Sequence, residues 1–247
     1  DILLQRQKLS LAAILPPTRP TVIYSGIISA DSVTRAVQHA KHFESFGIQH
    51  IKIKIGGAHD RERVSAIRQT LGRSVSLRVD ANGAYAVPEA IATLTDLAEF
   101  NIDSAEQPIP RGDTAELARV RARSPIPVMA DESLVTVADG RALIAGKACD
   151  FFNLRLSKNG GIGRTLELAR IAIRAGLKLQ LGCQVGETAI LSAAGRHVAA
   201  YLEDLVFVEG SYGSLLLTED VSENNITFGQ GGKAPALQGP GLGVKVS

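Results

Sequence analysis

The stretch HIKIKIGG, His50 to Gly57, sets Lys52 and Lys54 one residue apart inside a run of isoleucines. Side chains two apart on a strand share a face, so both lysines point the same way. On a half-exposed antiparallel sheet that face is wet. In a closed barrel or a doubly wound sheet it is interior, where an ammonium is costly unless it is partnered or used. The rest of the chain decides between these surroundings.

Seven other apolar, β-rich runs accompany it: TVIYSGIIS, SVSLRVDAN, NIDSAEQPI, PVMADES, FFNLRLSKN, KLQLGCQVG and LVFVEGSYG. Their starts recur at roughly 25 to 30 residues, a period that indicates repeated units. Helical patterns fall between them, among them DSVTRAVQHAKHFESFG, VPEAIATLTDLAEF, TAELARVRARS and GRTLELARIAIRAG, with apolar residues at spacings of three and four. Strand and helix alternating eight times predicts parallel strands with right-handed crossovers. Eight units close an α/β fold of the (β/α)8 TIM-type barrel class, expected over residues 21–214; an open doubly wound sheet is the alternative. Residues 1–20 read as a linker helix and lead-in, with DILLQRQKLSLAAIL as the latter part of an amphipathic helix, and 215–247 as a C-terminal tail closing on GGKAPALQGPGLGVKVS.

Composition narrows the function. The 247 residues are 45% hydrophobic and 21% charged, with a net charge of +2 and only 4% aromatic residues, and no Lys/Arg block occurs. This leaves no footprint for nucleic-acid binding and favours a small-molecule partner. No apolar run approaches the roughly 20 residues of a membrane span, so no membrane association is expected. Cys149 and Cys183 lack ligand or redox spacing, which suggests reduced thiols and a cytoplasmic setting. Met129 is the only methionine, so the chain is expected to be incomplete at its front.

In a barrel the ends of the strands carry the chemistry. Asp80 in LRVDAN, Glu106 in SAEQPI and Asp131 in VMADES close three consecutive strands, so their carboxylates are expected to converge on one mouth. Three acids without histidine or cysteine form a hard oxygen set suited to Mg²⁺ or Mn²⁺. Parity then answers the opening question. Ile51, Ile53 and Ile55 face the helices while Lys52 and Lys54 face the barrel interior, and on the next strand Ser76, Arg78 and Asp80 face in. Neighbouring cations and a metal should depress a lysine pKa there and supply some neutral amine as a base. Lys158, closing the sixth strand, lies across the ring from Lys54, so the two could address opposite faces of one carbon. Its phase is imperfect, because Asn153, Arg155 and Ser157 share the other parity, and a bulge or strand end near Leu156 has to intervene. Arg155, Asn82, Glu132, Gln184 and Glu187 also stand near the mouth, where each reads equally as a substrate contact or a polar loop residue; Glu187 additionally suits a helix N-terminus.

The ordered set KIK, VDANG, EQP, ADES, SKNGG and LGCQVGETA resembles the barrel domain of the muconate lactonizing enzyme subgroup of the enolase superfamily. The resemblance covers most of the chain. It implies Asp80, Glu106 and Asp131 as Mg²⁺ ligands, Lys54 and Lys158 as an acid/base pair, and Lys52 in support of Lys54. It implies removal of the proton alpha to a carboxylate through an enediolate, by cycloisomerization, racemization or syn elimination as in o-succinylbenzoate synthase. The seventh strand lacks the histidine of the mandelate racemase subgroup, and VEGSYGSLLL lacks the paired aspartates expected of a dipeptide epimerase. The capping domain that closes over such barrels, and on which the tail would pack, is not found in this sequence, so homo-oligomerization through exposed apolar surface is expected. A lysine Schiff-base aldolase and a catalytically silent barrel with a structural or binding role are the rival readings.

Overall fold

The computed structural model describes residues 1–246. Among the described residues ten strands run β1 (Thr21–Ile23), β2 (Gly26–Ile28), β3 (His50–Lys54), β4 (Ser76–Asp80), β5 (Ile102–Glu106), β6 (Val128–Ala130), β7 (Phe151–Leu154), β8 (Lys178–Leu181), β9 (Leu205–Val208) and β10 (Lys233–Pro235). The helices are α1 (Ile2–Arg6), α2 (Val33–Ser45), α3 (Asp60–Leu71), α4 (Val87–Leu97), α5 (Thr114–Arg123), α6 (Val137–Ala145), α7 (Leu156–Asn159), α8 (Ile162–Arg174) and α9 (Ala189–Tyr201).

Strands β2 to β9 form one parallel sheet in chain order. It curls until the Ser25 N–H donates to the Val208 carbonyl at 2.8 Å and Lys52 on β3 reaches Glu209 beyond β9 at 2.8 Å. The barrel expectation therefore holds, and the first run splits in two: β2 enters the barrel, while β1 leaves it to pair antiparallel with β10. The split lies at Tyr24, whose N–H donates to the Gly232 carbonyl at 2.8 Å. A Cβ on Gly232, at φ +70°, would lie 2.3 Å from the Tyr24 carbonyl oxygen, so this crossing requires glycine.

Helix starts are set locally. Ser32 accepts from Arg35 N–H, Asp113 from Ala115 N–H, and Thr136 and Asp139 form a reciprocal capping box. Each long helix buries one stripe; on α8 it is Thr165, Leu168, Ala169 and Ala172. The opening segment is less helical than its pattern suggests. Helix α1 has five residues and none buried, and the chain then turns at Lys8 (φ +54°). Gly241 of the tail docks against it, donating to Leu9 and accepting from Leu11, each at 2.8 Å. The tail also packs Ile226 and Val244 on Ala189 and Ala193 of α9, and Phe228 on Tyr24. Among the described residues no helix is long and apolar enough to cross a membrane.

Two histidines give the fold a pH signature. Burial first, then Arg78, lowers the pKa of His50 against the opposing pull of Asp103; burial and Arg196 lower that of His197. The unfolded chain protonates both near pH ~6.5 while the folded chain resists. Their contribution to stability is therefore full above that pH and is lost as pH falls through ~6.5 toward the folded values. Asp80 and Asp131, whose pKa values are raised, act with the opposite sign, so the histidine contribution is read as a difference. Between pH 7.5 and 5.5 the urea midpoint of the His50→Gln/His197→Gln variant should shift less toward lower urea than that of the parent; parallel shifts would contradict this.

Candidate active site

Register brings the mouth together. Lys54 pairs with Asp80 and Asp80 with Glu106, placing three charged residues side by side on β3, β4 and β5. Met129 pairs with Glu106, so Asp131 stands two residues further out, just past β6. Gln107, at φ +36°, sets that loop: its Oε1 accepts from Asp131 N–H (3.0 Å) and Ser133 N–H (3.1 Å), and its Nε2 donates to Ser133 Oγ and the Ile109 carbonyl. Asp80, Glu106 and Asp131 are all buried.

Their neighbours are cations. Lys52 Nζ lies 3.1 Å from Asp80, 3.3 Å from Glu106 and 2.8 Å from Glu209. Lys54 donates to Asp80 Oδ2 at 2.7 Å and to Asn82 Oδ1 at 2.6 Å, with its side chain 31% exposed. The Arg155 guanidinium bridges Glu106 (3.3 Å) and Asp131. Lys158 Nζ donates to Asp131 Oδ1 at 2.5 Å and to the carbonyls of Asp131 and Asn153.

Lys158 reaches the mouth because β7 ends at Leu154 and a single helical turn, α7, follows. That turn resolves the imperfect phase without a bulge. Asn159 fixes it by donating to the Leu134 and Val135 carbonyls while accepting from Arg155 N–H.

The electrostatics separate the lysines. Burial works against the ammonium of Lys52, yet Glu106, Glu209 and Asp80 outweigh it and hold its pKa well above the ordinary value. The expectation of a depressed lysine pKa thus fails at Lys52, which is a locked cation. For Lys158 burial dominates over Asp131 and lowers the pKa. Burial, then the charge of Glu106, raises Asp80 and pushes Asp131 up to about 6. Glu106 is also penalised by burial, but Lys52, Arg155 and Gln180 hold it far below the usual carboxylate range.

Chemically, three crowded, buried carboxylates without imidazole or thiolate are a donor set that fits a hard divalent cation. As arranged, Lys52 and Arg155 stand between them, and among the described residues no group of three acidic, histidine or cysteine side chains is placed to hold a metal ion. Buried side-chain oxygens of Glu132, Asn153 and Gln180 are without hydrogen-bond partners among the described residues.

Of the remaining mouth residues, Asn82 (φ +45°) donates its backbone N–H to Asp80 Oδ1 and its Nδ2 to Glu132 Oε1, each at 3.0 Å. Gln184 is exposed and gives its backbone N–H to Glu187 at 2.7 Å. Glu187 does not serve the α9 terminus: the Ala189 N–H is taken by Asp220 of the tail at 2.9 Å. Sequence reasoning missed Glu209, which pairs with Lys52 and, at 2.9 Å, with Arg78 across the barrel. Parity in LVFVEG was the available signal, since Leu205, Phe207 and Glu209 share one face.

Eight parallel strands carry paired lysines and strand-end carboxylates at the C-terminal mouth of an α/β barrel, the face on which barrel enzymes of this architecture place their chemistry. The enolase C-terminal domain-like family model matches residues 35–247, and the chain belongs to that family, within the enolase superfamily. It is 33% identical over 247 residues to the D-Ala-D/L-Ala epimerase of Cytophaga hutchinsonii, covering 99% of this chain and 67% of that one. It is 36% identical over 198 residues to muconate cycloisomerase 1 of Pseudomonas putida, covering 78% and 52%. The crystal structure of the C. hutchinsonii dipeptide epimerase complexed with Mg and D-Ala-L-Val superposes with a TM-score of 0.91 at 32% identity, over 100% of this chain and 67% of that one. Muconate lactonizing enzyme from P. putida gives 0.92 at 31%, over 100% and 70%. The chain thus spans from about half to two thirds of the length of these curated relatives.

Proposed function

We propose that this chain is the barrel of a divalent-cation-dependent isomerase or lyase that removes the proton alpha to a carboxylate of a small substrate, with Lys54 and Lys158 as the acid/base pair. The observation that carries the reading is that two lysines approach the mouth from opposite sides of the ring, each hydrogen-bonded to a different buried carboxylate. Asp80, Glu106 and Asp131 would hold Mg²⁺ or Mn²⁺. Such an ion would supply positive charge to stabilise the negative charge developing on a substrate carboxylate.

The protein's own groups divide the remaining work. Lys158, whose pKa burial lowers, takes or returns a proton on one face, and Lys54, anchored by Asp80 and Asn82, serves the other. Lys52 stays protonated beneath them and holds Asp80 and Glu106 in place. Arg155 is placed to pair with an anionic substrate group once it leaves Asp131. Among the isomerization types, the single Glu209, already engaged by Lys52 and Arg78, favours a cycloisomerase over a dipeptide epimerase with paired aspartates at this strand end.

The test is proton NMR in D₂O with Mg²⁺, using a dipeptide, an N-succinyl amino acid and cis,cis-muconate as probes. Loss of an alpha-proton signal, or lactone formation, is expected for one of them. A chain that binds Mg²⁺ yet leaves all three unchanged would favour the silent-barrel reading. We also propose a cytoplasmic homo-oligomer. Ile2, Leu3, Ile14 and Leu215 are each more than 60% exposed. Light scattering should therefore report a mass above the 26.1 kDa of one chain, and a monodisperse monomer at high concentration would contradict it.

A further inference from the structure

We propose that Asp60 is a positioning residue for Lys54, fixing the strand-end loop behind that lysine to the loops on either side; the inference rests on the reading of Lys54 as a proton-transfer group. Asp60 is the first residue of α3 and is buried. An acid there ordinarily faces its own helix N-terminus. Instead its Oδ2 accepts from the N–H groups of Gly56 (2.9 Å) and Gly57 (3.1 Å), which follow Lys54 directly after Ile55, and from the Tyr85 hydroxyl at 2.6 Å. Its Oδ1 pairs with Arg63, whose guanidinium also donates to the Ala30 carbonyl.

Ala30 follows β2, Gly56 follows β3 and Tyr85 follows β4, so one carboxylate and its arginine partner join the mouth loops of three consecutive strands. The join is tight. Gly56 has φ +114°, and a Cβ on it would lie 2.7 Å from the Ala84 Cβ in the β4 loop. The same two loops are spanned at the mouth by the Lys54–Asn82 bond. Holding them through Asp60 and Tyr85 therefore holds Lys54 against Asn82 and Asp80. Lys158 has a separate anchor in Asn159, so loosening Asp60 should act on one lysine of the pair.

Competitive acetylation of the full chain with acetic anhydride, read by mass spectrometry, tests this with exposed Lys41 as internal reference. Asp60→Asn should raise Lys54 labelling about tenfold, as expected when hydrogen bonds to a charged group that hold a loop are lost. Tyr85→Phe should raise it less, and Asp60→Glu, which keeps the charge and both acceptor oxygens, should restore part of the protection. Lys158 labelling should stay within about twofold, since sites with separate anchors open independently. Unchanged Lys54 labelling in folded Asp60→Asn, or Lys54 and Lys158 rising together, would overturn the proposal. If Asp60→Asn does not fold, Tyr85→Phe decides by the same two criteria. An absence of deuterium exchange in the parent chain would remove the catalytic meaning of Lys54 while leaving the labelling result to judge Asp60.

Discussion

Glu209→Gln should lower the unfolding free energy by roughly 3–5 kcal/mol, the usual cost of removing one partner from a buried ion pair. Both cations that face Glu209 are buried, Lys52 at 2% exposure and Arg78 at 0%. Lys52 would keep Asp80 and Glu106. Arg78 would not be so protected. Glu209 is its one ion-pair partner among the described residues; its other contacts are Ser25 Oγ at 3.2 Å and the face of Phe207 at 4.1 Å, and its Nε and Nη1 already lack partners. The amide keeps the shape of the side chain, so the loss is electrostatic and no cavity is opened. Urea unfolding at pH 7 measures it. Because the network is buried, the difference should persist at high salt, and a difference that vanishes in 1 M NaCl would contradict the account.

Lys54→Met and Lys158→Met should each reduce alpha-proton exchange by about 10²- to 10⁴-fold, the range over which a positioned acid or base contributes. The two variants should differ in which enantiomer of a chiral probe they still deprotonate, because the lysines approach from strand β3 and helix α7 on opposite sides of the ring. Methionine keeps the length of the stem, so the fold should survive at the partly exposed Lys54. At Lys158 the Asp131 carboxylate retains Arg155 and the Gln107-held loop. Deuterium incorporation by each variant, assayed with each enantiomer separately, gives the result. Equal losses for both enantiomers in both variants would count against a two-faced site.

Much of this site was legible in the sequence because strand parity is a strict rule. The alternation in HIKIK sends Lys52 inward, and the same rule applied to SLRVD gives Arg78 and Asp80; both strands pair in that register. The acids that close three successive strands were legible for the same reason. What parity does not tell is where a long side chain comes to rest. Arg155 could be placed inside the barrel, but its bridge between Glu106 and Asp131 depends on packing from three strands. Lys158 violated parity, and only the one-turn helix after Leu154 explains how it still reaches the mouth. Asp220 capping α9 and Asp60 gripping Tyr85 join residues 31 and 25 positions apart, and nothing local marks either pairing. Glu209 is different: its parity was readable, but the segment was weighed for the aspartates it lacks.

Calorimetric titration of Mg²⁺ into this chain and into Asp80→Ala tests the central claim, that the strand-end carboxylates form a divalent-cation site, without needing the substrate. The account predicts a single saturable binding event in the parent chain, with Arg155 yielding to the ion, and its loss in Asp80→Ala. Absence of binding to the parent chain, or equal binding by the variant, would contradict it.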